Sequence, residues 1–349
     1  MRGINNSKVV VFGSGNLGKS VALNYAGSVV FDKSKINFLN TKKLLLNLHL
    51  LLDNIDIKAI VNCVGYMPKN NSDDEIAISN AINATAVEII GKYCNSRSIP
   101  FINISTDKVF SPQENGIFNE SSPTCPQNSF GESKLLGEQK LLNVCDTAII
   151  LRISWLYSIF FPNNFIYQLI SAMVKQPNLS VATDQFGSLC NAFDLSFCII
   201  DLIDKIHESK GGKEDINFGL YHLSQQSGVT SRYEIASEVT KICKRLFPDL
   251  FAIEDITPIH SKILTTSGEE PNDEGDRNGK IEESESDDAE LDEEFGNTEI
   301  QDEKFVELDS SLIKETFDIE MPDWKFSLFN ATQKITQRLF PDIDLSQKE

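Results

Sequence analysis

The sequence is short of several things, and each shortage closes off a class of function. No run of 18 apolar residues occurs in its 349 residues, so no segment is expected to span a membrane. The opening MRGINNSK lacks the apolar stretch of a secretory signal and leads straight into a strand pattern. Seven cysteines (Cys63, Cys94, Cys125, Cys145, Cys190, Cys198 and Cys243) form an odd, scattered set without a CxxC pair. Neither a disulfide framework nor a zinc site is expected from them, and a reducing cytoplasm is the plain reading. The four histidines, His49, His207, His222 and His260, are far apart and lack metal-ligand spacing, so packing or surface roles are expected and no metal. Basic charge is also in deficit, with 32 Lys and Arg against 51 Asp and Glu. A net charge of −19 excludes an electrostatic nucleic-acid binder.

The deficit is local. Residues 268–304 hold 17 acidic residues against Arg277, Lys280 and Lys304, a net of −14, which leaves only −5 for the rest. With few apolar residues and strong self-repulsion, this segment reads as a disordered insertion, because patterned sequence resumes after it. It is either a solvated loop or a docking segment for a basic partner. The remainder has the make-up of an ordinary globular protein, 41% apolar and 24% charged over the whole chain, with ample length for a core.

Apolar runs at 9–13, 29–32, 59–64, 101–105 and 148–154 show no polar alternation, as expected of strands covered on both faces. Helical patterns lie between them at 17–25, 41–52, 75–95 and 129–144. This alternation predicts an α/β fold built on a doubly wound parallel sheet over residues 1–160, with some later elements joining it. Residues 161–349 read as a smaller α/β lobe, with helices at 165–174, 191–207 and 231–245 and a short strand at 219–223. Beyond the acidic insertion, 306–317 and 323–339 carry apolar residues at helical spacing.

After the first strand comes Gly13-Ser14-Gly15-Asn16-Leu17-Gly18, a GxGxxG opening a helix. Gly13 permits the tight turn, Gly15 lets backbone approach a pyrophosphate, and Gly18 lets helix and strand pack closely. The phosphates would rest on the helix N-terminus, at Asn16 and Leu17, where free N–H groups and the dipole favour anions. The second strand ends at Asp32, which can bond the ribose 2′-OH of NAD, while Lys33 and Lys35 could instead face the extra phosphate of NADP. A Rossmann-type site for NAD or NADP is expected, with the choice open.

Four further motifs follow in order: Ser105-Thr106-Asp107-Lys108-Val109-Phe110, Phe130-Gly131-Glu132-Ser133-Lys134, Arg152-Ile153-Ser154-Trp155-Leu156-Tyr157, and Asp184-Gln185-Phe186-Gly187-Ser188. In this order and spacing they resemble the dTDP-4-dehydrorhamnose reductases, extended short-chain dehydrogenases. That branch also includes the regulatory β subunit of methionine adenosyltransferase. The resemblance runs from Lys8 to about Ile259 and resumes near Phe305. It implies a Ser/Thr, a Tyr and a Lys as the catalytic group, with Tyr and Lys on one helix face at i and i+4. In the family the Lys lowers the Tyr pKa and bonds the nicotinamide ribose, and the hydroxyl orients the substrate carbonyl. The Tyr gives a proton as hydride arrives at carbon.

By this resemblance Thr106 supplies the hydroxyl and Lys134 the ammonium, while Trp155 and Gln185 lie beside a nucleotide-linked sugar. The tyrosine position holds Phe130, which has no proton to give. Ser129, Ser133 and Tyr66 are conceivable substitutes. Thr106 could also be a strand-end hydroxyl capping a turn, and Trp155 a core aromatic. Other departures are a glycine turn one residue shorter than the family's, and Leu189-Cys190 in place of its Pro-Thr. The expectation is a catalytically impaired, regulatory or partner-binding member. The alternative is an active NAD(P)H-dependent reductase of a nucleotide-linked 4-keto-6-deoxy sugar that uses another proton donor. Expected partners are a nucleotide-sugar-like small molecule or a protein, in a homodimer or hetero-oligomer, with neither nucleic acid nor membrane.

Overall fold

The computed structural model describes residues 7–113, 116–162, 164–210, 216–260 and 305–341. The acidic segment 268–304 lies outside the described residues. In the first half the strands are β1 (Lys8–Phe12), β2 (Ser28–Phe31), β3 (Ile57–Asn62), β4 (Phe101–Thr106), β5 (Ile117–Phe118), β6 (Ala148–Ile153) and β7 (Trp155–Tyr157). The second half adds β8 (Asn178–Ala182), β9 (Phe186–Gly187), β10 (Leu189–Asn191), β11 (Gly219–His222), β12 (Thr230–Ser231), β13 (Asp255–Ile259) and β14 (Glu307–Leu308). The helices are α1 (Asn16–Asn24), α2 (Thr41–Leu52), α3 (Asp73–Asn80), α4 (Ala86–Asn95), α5 (Ser129–Leu142), α6 (Phe165–Lys175), α7 (Ala192–Lys210), α8 (Arg232–Leu246), α9 (Ser311–Phe317) and α10 (Trp324–Leu339).

The main sheet has six strands in the order β2-β1-β3-β4-β6-β11, all parallel. Its apolar runs lack alternation because each strand feeds two cores at once. Val9 and Val11 of β1 pack with α1 and α7 on one face, and Val10 and Phe12 pack with α2 and α4 on the other. The chain is therefore an α/β protein built on a doubly wound parallel sheet, as expected. The order reverses between β1 and β3, the point at which such sheets leave a crevice at their carboxyl ends.

Two elements from the second half complete this layer. Helix α7 lies in the α1 core, and β11 pairs with β6 through Tyr221 and Leu151. A separate core joins α6, α8 and α10 around Ile170, Val239 and Leu328, with β8 and β13 paired at its side. The stretch 306–317, expected to be helical throughout, instead begins as β14. That strand pairs in parallel with β5 (Glu307 with Ile117), and the helix starts only at Ser311. Among the described residues no helix is long and apolar enough to cross a membrane.

Candidate active site

The glycine turn sits at the switch point. Gly13 has φ +95°, a conformation that L side chains rarely adopt, and its N–H donates to Phe31 at 2.9 Å. Cys63 at the end of β3 donates its N–H to Phe12 at 2.9 Å, so the turns after β1 and β3 face each other. A Cβ on Gly18 would lie 2.0 Å from the Gly13 carbonyl oxygen, whereas a Cβ on Gly15 would meet nothing within 4 Å. The space in front of Gly15 is open, and α1 begins there with no side-chain cap. Asn16 Oδ1 is buried without a hydrogen-bond partner beside this opening. The Leu17 side chain is buried in the core below, so at the turn it offers only backbone.

Residues 13–20, GSGNLGKS, also satisfy the GxxxxGK[ST] spacing of an NTP-binding loop. The geometry decides otherwise. The helix begins at Asn16, three residues ahead of Lys19, leaving too short a loop to wrap a phosphate. Lys19 Nζ lies 5.2 and 5.3 Å from the ring centres of Phe160 and Phe161, and Ser20 Oγ donates to the Asn16 carbonyl at 2.9 Å.

Asp32 follows β2 directly and stands beside the glycine turn. Its Oδ1 accepts from the Ser34 N–H at 3.0 Å and the Ser34 hydroxyl at 2.5 Å, and these bonds hold its carboxyl below the usual range.

The positions that the resemblance marks as catalytic gather at the carboxyl end of β4. Lys134 is 7% exposed on α5 and donates to the Ile104 carbonyl at 2.6 Å, two residues before Thr106 on that strand. Burial lowers the Lys134 pKa to about 8, against the upward pull of Glu138 and Cys63. Thr106 Oγ1 donates to Asp107 Oδ1 at 3.1 Å and accepts from the Lys108 N–H at 3.2 Å, capping a 3-10 turn at Asp107–Val109. Thr106 therefore fills the capping role and stands at the site as well. Asp107 Oδ2 accepts from Ser154 at 2.8 Å, which ties β4 to the end of β6.

Helix α5 is placed by its own sequence. Asn128 caps it by accepting from the Gly131 N–H at 2.8 Å. Gly131 and Gly137 let it press against backbone, since a Cβ on either would lie 2.1 Å from Lys108 O or 2.0 Å from Asn83 O. Phe130, half-buried, occupies the turn before Lys134 on this helix.

The three substitute hydroxyls are engaged elsewhere. Ser133, 1% exposed, donates to the Phe130 carbonyl at 2.8 Å and accepts from Ser79 and Asn83 at 2.8 and 2.9 Å. Tyr66 donates to Glu75 at 2.7 Å, which raises its pKa. Ser129 donates to Asn71 at 3.3 Å.

Asn83 escapes sequence reasoning entirely. It sits on a π-turn, Ala81–Thr85, that joins α3 to α4 where an unbroken helix over 75–95 is expected. Its Oδ1 accepts from the Tyr66 N–H at 2.8 Å, and its Nδ2 donates to the Tyr66 carbonyl at 2.7 Å. It thereby clasps the loop after β3 to α5 beside Lys134. A Cβ on Gly65 would lie 3.9 Å from Lys134 Nζ and 3.8 Å from Asn83 Oδ1. Such π-turns recur at functional sites, but Ala-Ile-Asn-Ala-Thr carries no mark that separates it from an ordinary helix.

Trp155 opens β7 two residues beyond Ile153, the register partner of Thr106. A Cβ on Gly187 would lie 2.2 Å from its ring, and the Arg232 guanidinium lies 5.2 Å from the ring centre. The Gln185 carbonyl accepts from the Arg232 N–H at 3.1 Å. Trp155 and Gln185 are thus brought to one corner through Gly187 and Arg232. The Leu189-Cys190 pair is buried in β10, alongside β7.

Beneath the site runs a buried polar chain. Glu138, one turn after Lys134, holds Arg152 through 2.6 and 3.0 Å bonds and also accepts from Ser105. Arg152 reaches His222 at 3.4 Å, and His222 contacts the Phe118 carbonyl at 3.0 Å. Burial and Arg152 lower the His222 pKa to about 3, so at neutral pH its ring is neutral, with Nδ1–H donating to Phe118.

Residues 7–285 match the model of the RmlD substrate binding domain family. The chain is similar to a probable low-salt glycan biosynthesis reductase of Haloferax volcanii, 28% identical over 212 residues. That match covers 58% of this chain and 65% of the relative. It is also similar to the dTDP-4-dehydrorhamnose reductase of Escherichia coli, 34% identical over 180 residues, covering 52% of this chain and 58% of the relative. In both cases the match spans less than two thirds of the relative's length. Among solved structures, the dTDP-4-dehydrorhamnose reductase of Bacillus anthracis in complex with NADP is 21% identical, with a TM-score of 0.70. That likeness, one of fold, covers 94% of this chain and 99% of the other.

Proposed function

The chain belongs to the RmlD substrate binding domain family, and on that footing we propose that it is a dinucleotide-binding member with impaired reductase chemistry that works through a binding partner. The observation that carries this reading is Phe130. It stands one turn before Lys134, and the hydroxyls of Tyr66, Ser129 and Ser133 are each bonded elsewhere. Loss of a positioned general acid costs about 10²–10⁴-fold in rate.

The residues present fit NAD(P). The open space at Gly15 and the uncapped α1 suit a pyrophosphate, and the partnerless Asn16 Oδ1 beside them would accept from a donor such as a ribose hydroxyl. Gly13, Gly15, Asn16, Leu17 and Gly18 would hold the phosphates through backbone, Asp32 the adenosine ribose and Lys134 the nicotinamide ribose. When bound, the nicotinamide supplies hydride. Thr106 would orient the sugar carbonyl, and Trp155 and Gln185 would flank a nucleotide-linked sugar of the kind named for the E. coli relative.

A second reading, an active sugar reductase, is favoured by one feature. Lys134 has no phenol to serve, and with a pKa of about 8 it can itself release a proton near neutrality. The test is oxidation of NADH and NADPH with dTDP-4-dehydrorhamnose by wild type and Phe130→Tyr side by side. Turnover at least roughly a hundredfold faster in Phe130→Tyr supports impairment. Equal or faster turnover by wild type, abolished in Lys134→Met, overturns it in favour of the second reading. Silence in both, with nucleotide still bound, leaves the partner-binding role and moves the search to proteins.

A further inference from the structure

We propose that the acidic segment 268–304 docks within its own chain on a basic and aromatic groove between α8 and α10, with Leu291 and Phe295 as its apolar anchors. The contact involves neither the glycine turn nor Lys134, so it holds whether or not a nucleotide binds.

The groove is built by the two helices. A cavity of about 210 Å³ opens between them, lined by Glu238, Lys241, Ile242 and Arg245 of α8 and by Phe329 of α10. The Arg245 guanidinium lies 5.1 Å from the Phe329 ring centre, so a cation and an aromatic face form one wall. One turn earlier on α10, Phe326 is 64% exposed, an uncovered ring beside an apolar opening.

The charge on these helices is one-sided. Beyond Glu238, α8 adds Lys241, Lys244 and Arg245 and no acid. Helix α10 carries Lys325, Lys334 and Arg338 and no carboxylate over its 16 residues. The acids that these helices and their caps do supply are engaged. Glu234 closes the capping box of α8, Glu238 pairs with Lys241 at 3.3 Å, and Asp323 caps α10 and accepts from Ser227. An excess of positive charge is left over an apolar opening, in a chain whose total is −19.

The occupant is identified by charge and by where the described chain stops. Strand β13, whose Ile256 lies in the core shared by α8 and α10, ends at Ile259, and the described chain breaks off at His260 and resumes at Phe305. At about 3.3 Å per extended residue, the intervening 261–304 can reach roughly 70 Å out and back, beyond the diameter of a domain of this size. Within it Asp287, Asp288, Glu290, Asp292, Glu293 and Glu294 surround Leu291, and Phe295 follows directly. Two large apolar side chains among carboxylates complement an apolar cavity under a basic rim. Because both ends are tethered to the same molecule, effective concentration sustains a contact too weak to hold a free peptide.

The experiment is zero-length carbodiimide crosslinking of the full chain at high dilution, with the joined peptides read by mass spectrometry. Expected are amide links within one chain from Lys241, Lys244 and Lys325 to the carboxylates of 287–294. They should fall severalfold at about 1 M salt, where charges are screened beyond roughly 3 Å. Leu291→Ser combined with Phe295→Ser should reduce them severalfold too, without touching any described contact. Lys241→Glu combined with Arg245→Glu should remove the Lys325 links as well, with thermal melts to confirm folding. Links no more frequent at α8 and α10 than at other exposed lysines such as Lys42 and Lys43 would overturn the proposal. So would an unchanged pattern when Leu291 and Phe295 are replaced. Links found only between two chains would also overturn it, by assigning the segment to a second copy.

Discussion

A methyl group on Gly18 would lie 2.0 Å from the carbonyl oxygen of Gly13, nearer than any real Cβ contact. Gly18→Ala must therefore push α1 away from the turn or distort the turn itself. Overpacking of this kind costs roughly 1–3 kcal/mol. A denaturant titration should show that loss together with abolished NADH binding. Gly15→Ala, with open space before it, should keep wild-type stability and lose nucleotide affinity only. Equal stability losses in the two variants would contradict this account of the turn.

Lys134 makes stability depend on alkaline pH in an unusual direction. Its pKa is about 8 when folded, against an ordinary 10.5, so between these values the unfolded chain binds more protons. Stability from this group therefore rises with pH across that window, and below about pH 8 the cost of burying its charge is present in full. Across the window the gain approaches roughly 3 kcal/mol. Tyrosines and cysteines titrate there too, so the quantity to measure is the difference in unfolding free energy between wild type and Lys134→Met from pH 7 to 10. The wild type should gain on the variant as pH rises; a flat difference would show that Lys134 is not perturbed.

Glu138 and Arg152 form an ion pair that is 3% exposed on each side chain. Removing one partner strands the other in the interior, at a cost of about 3–5 kcal/mol. Glu138→Gln should cost less than Arg152→Met, because the amide still accepts from Arg152. Urea midpoints for both variants check the order.

Gly187 leaves room for Trp155 and nothing more, since a Cβ there would lie 2.2 Å from its ring. Gly187→Ala should tilt the indole away from Arg232 and shift its emission. The readout is fluorescence in a Trp324→Phe background, because Trp324 is the other tryptophan and is buried among α6, α8 and α10. An unchanged spectrum would mean that the ring is not held where described.

The five strands of the main sheet drawn from the first half were legible to within two residues, because burial on both faces leaves an apolar run with nothing to interrupt it. Helix α2 was legible to the residue, with Leu44, Leu48 and Leu52 buried at helical spacing. Strands of two or three residues, such as β9, β12 and β14, were not legible. They exist because a partner pairs with them, and two residues hold no period. The same reason misled the reading of 306–317. At the site, the glycine turn, Phe130, Thr106 and Lys134 were legible as types at fixed spacings. Asn83 was hidden because its role comes from an irregularity in the helix, and the engagement of Ser133 and Tyr66 comes from contacts across elements.

The π-turn at Ala81–Thr85 has a consequence for insertions and deletions. Each residue of a helix turns its successors by about 100°. Removing one residue there would restore a regular helix, but it would swing Asn83 away from Tyr66 and Ser133 or carry the buried face of α4 off the sheet. The helix cannot keep both settings without its surplus residue. The length of the 73–95 segment is therefore fixed by the clasp over Lys134 as much as by the fold, and a one-residue deletion there should prove harder to tolerate than most substitutions along it.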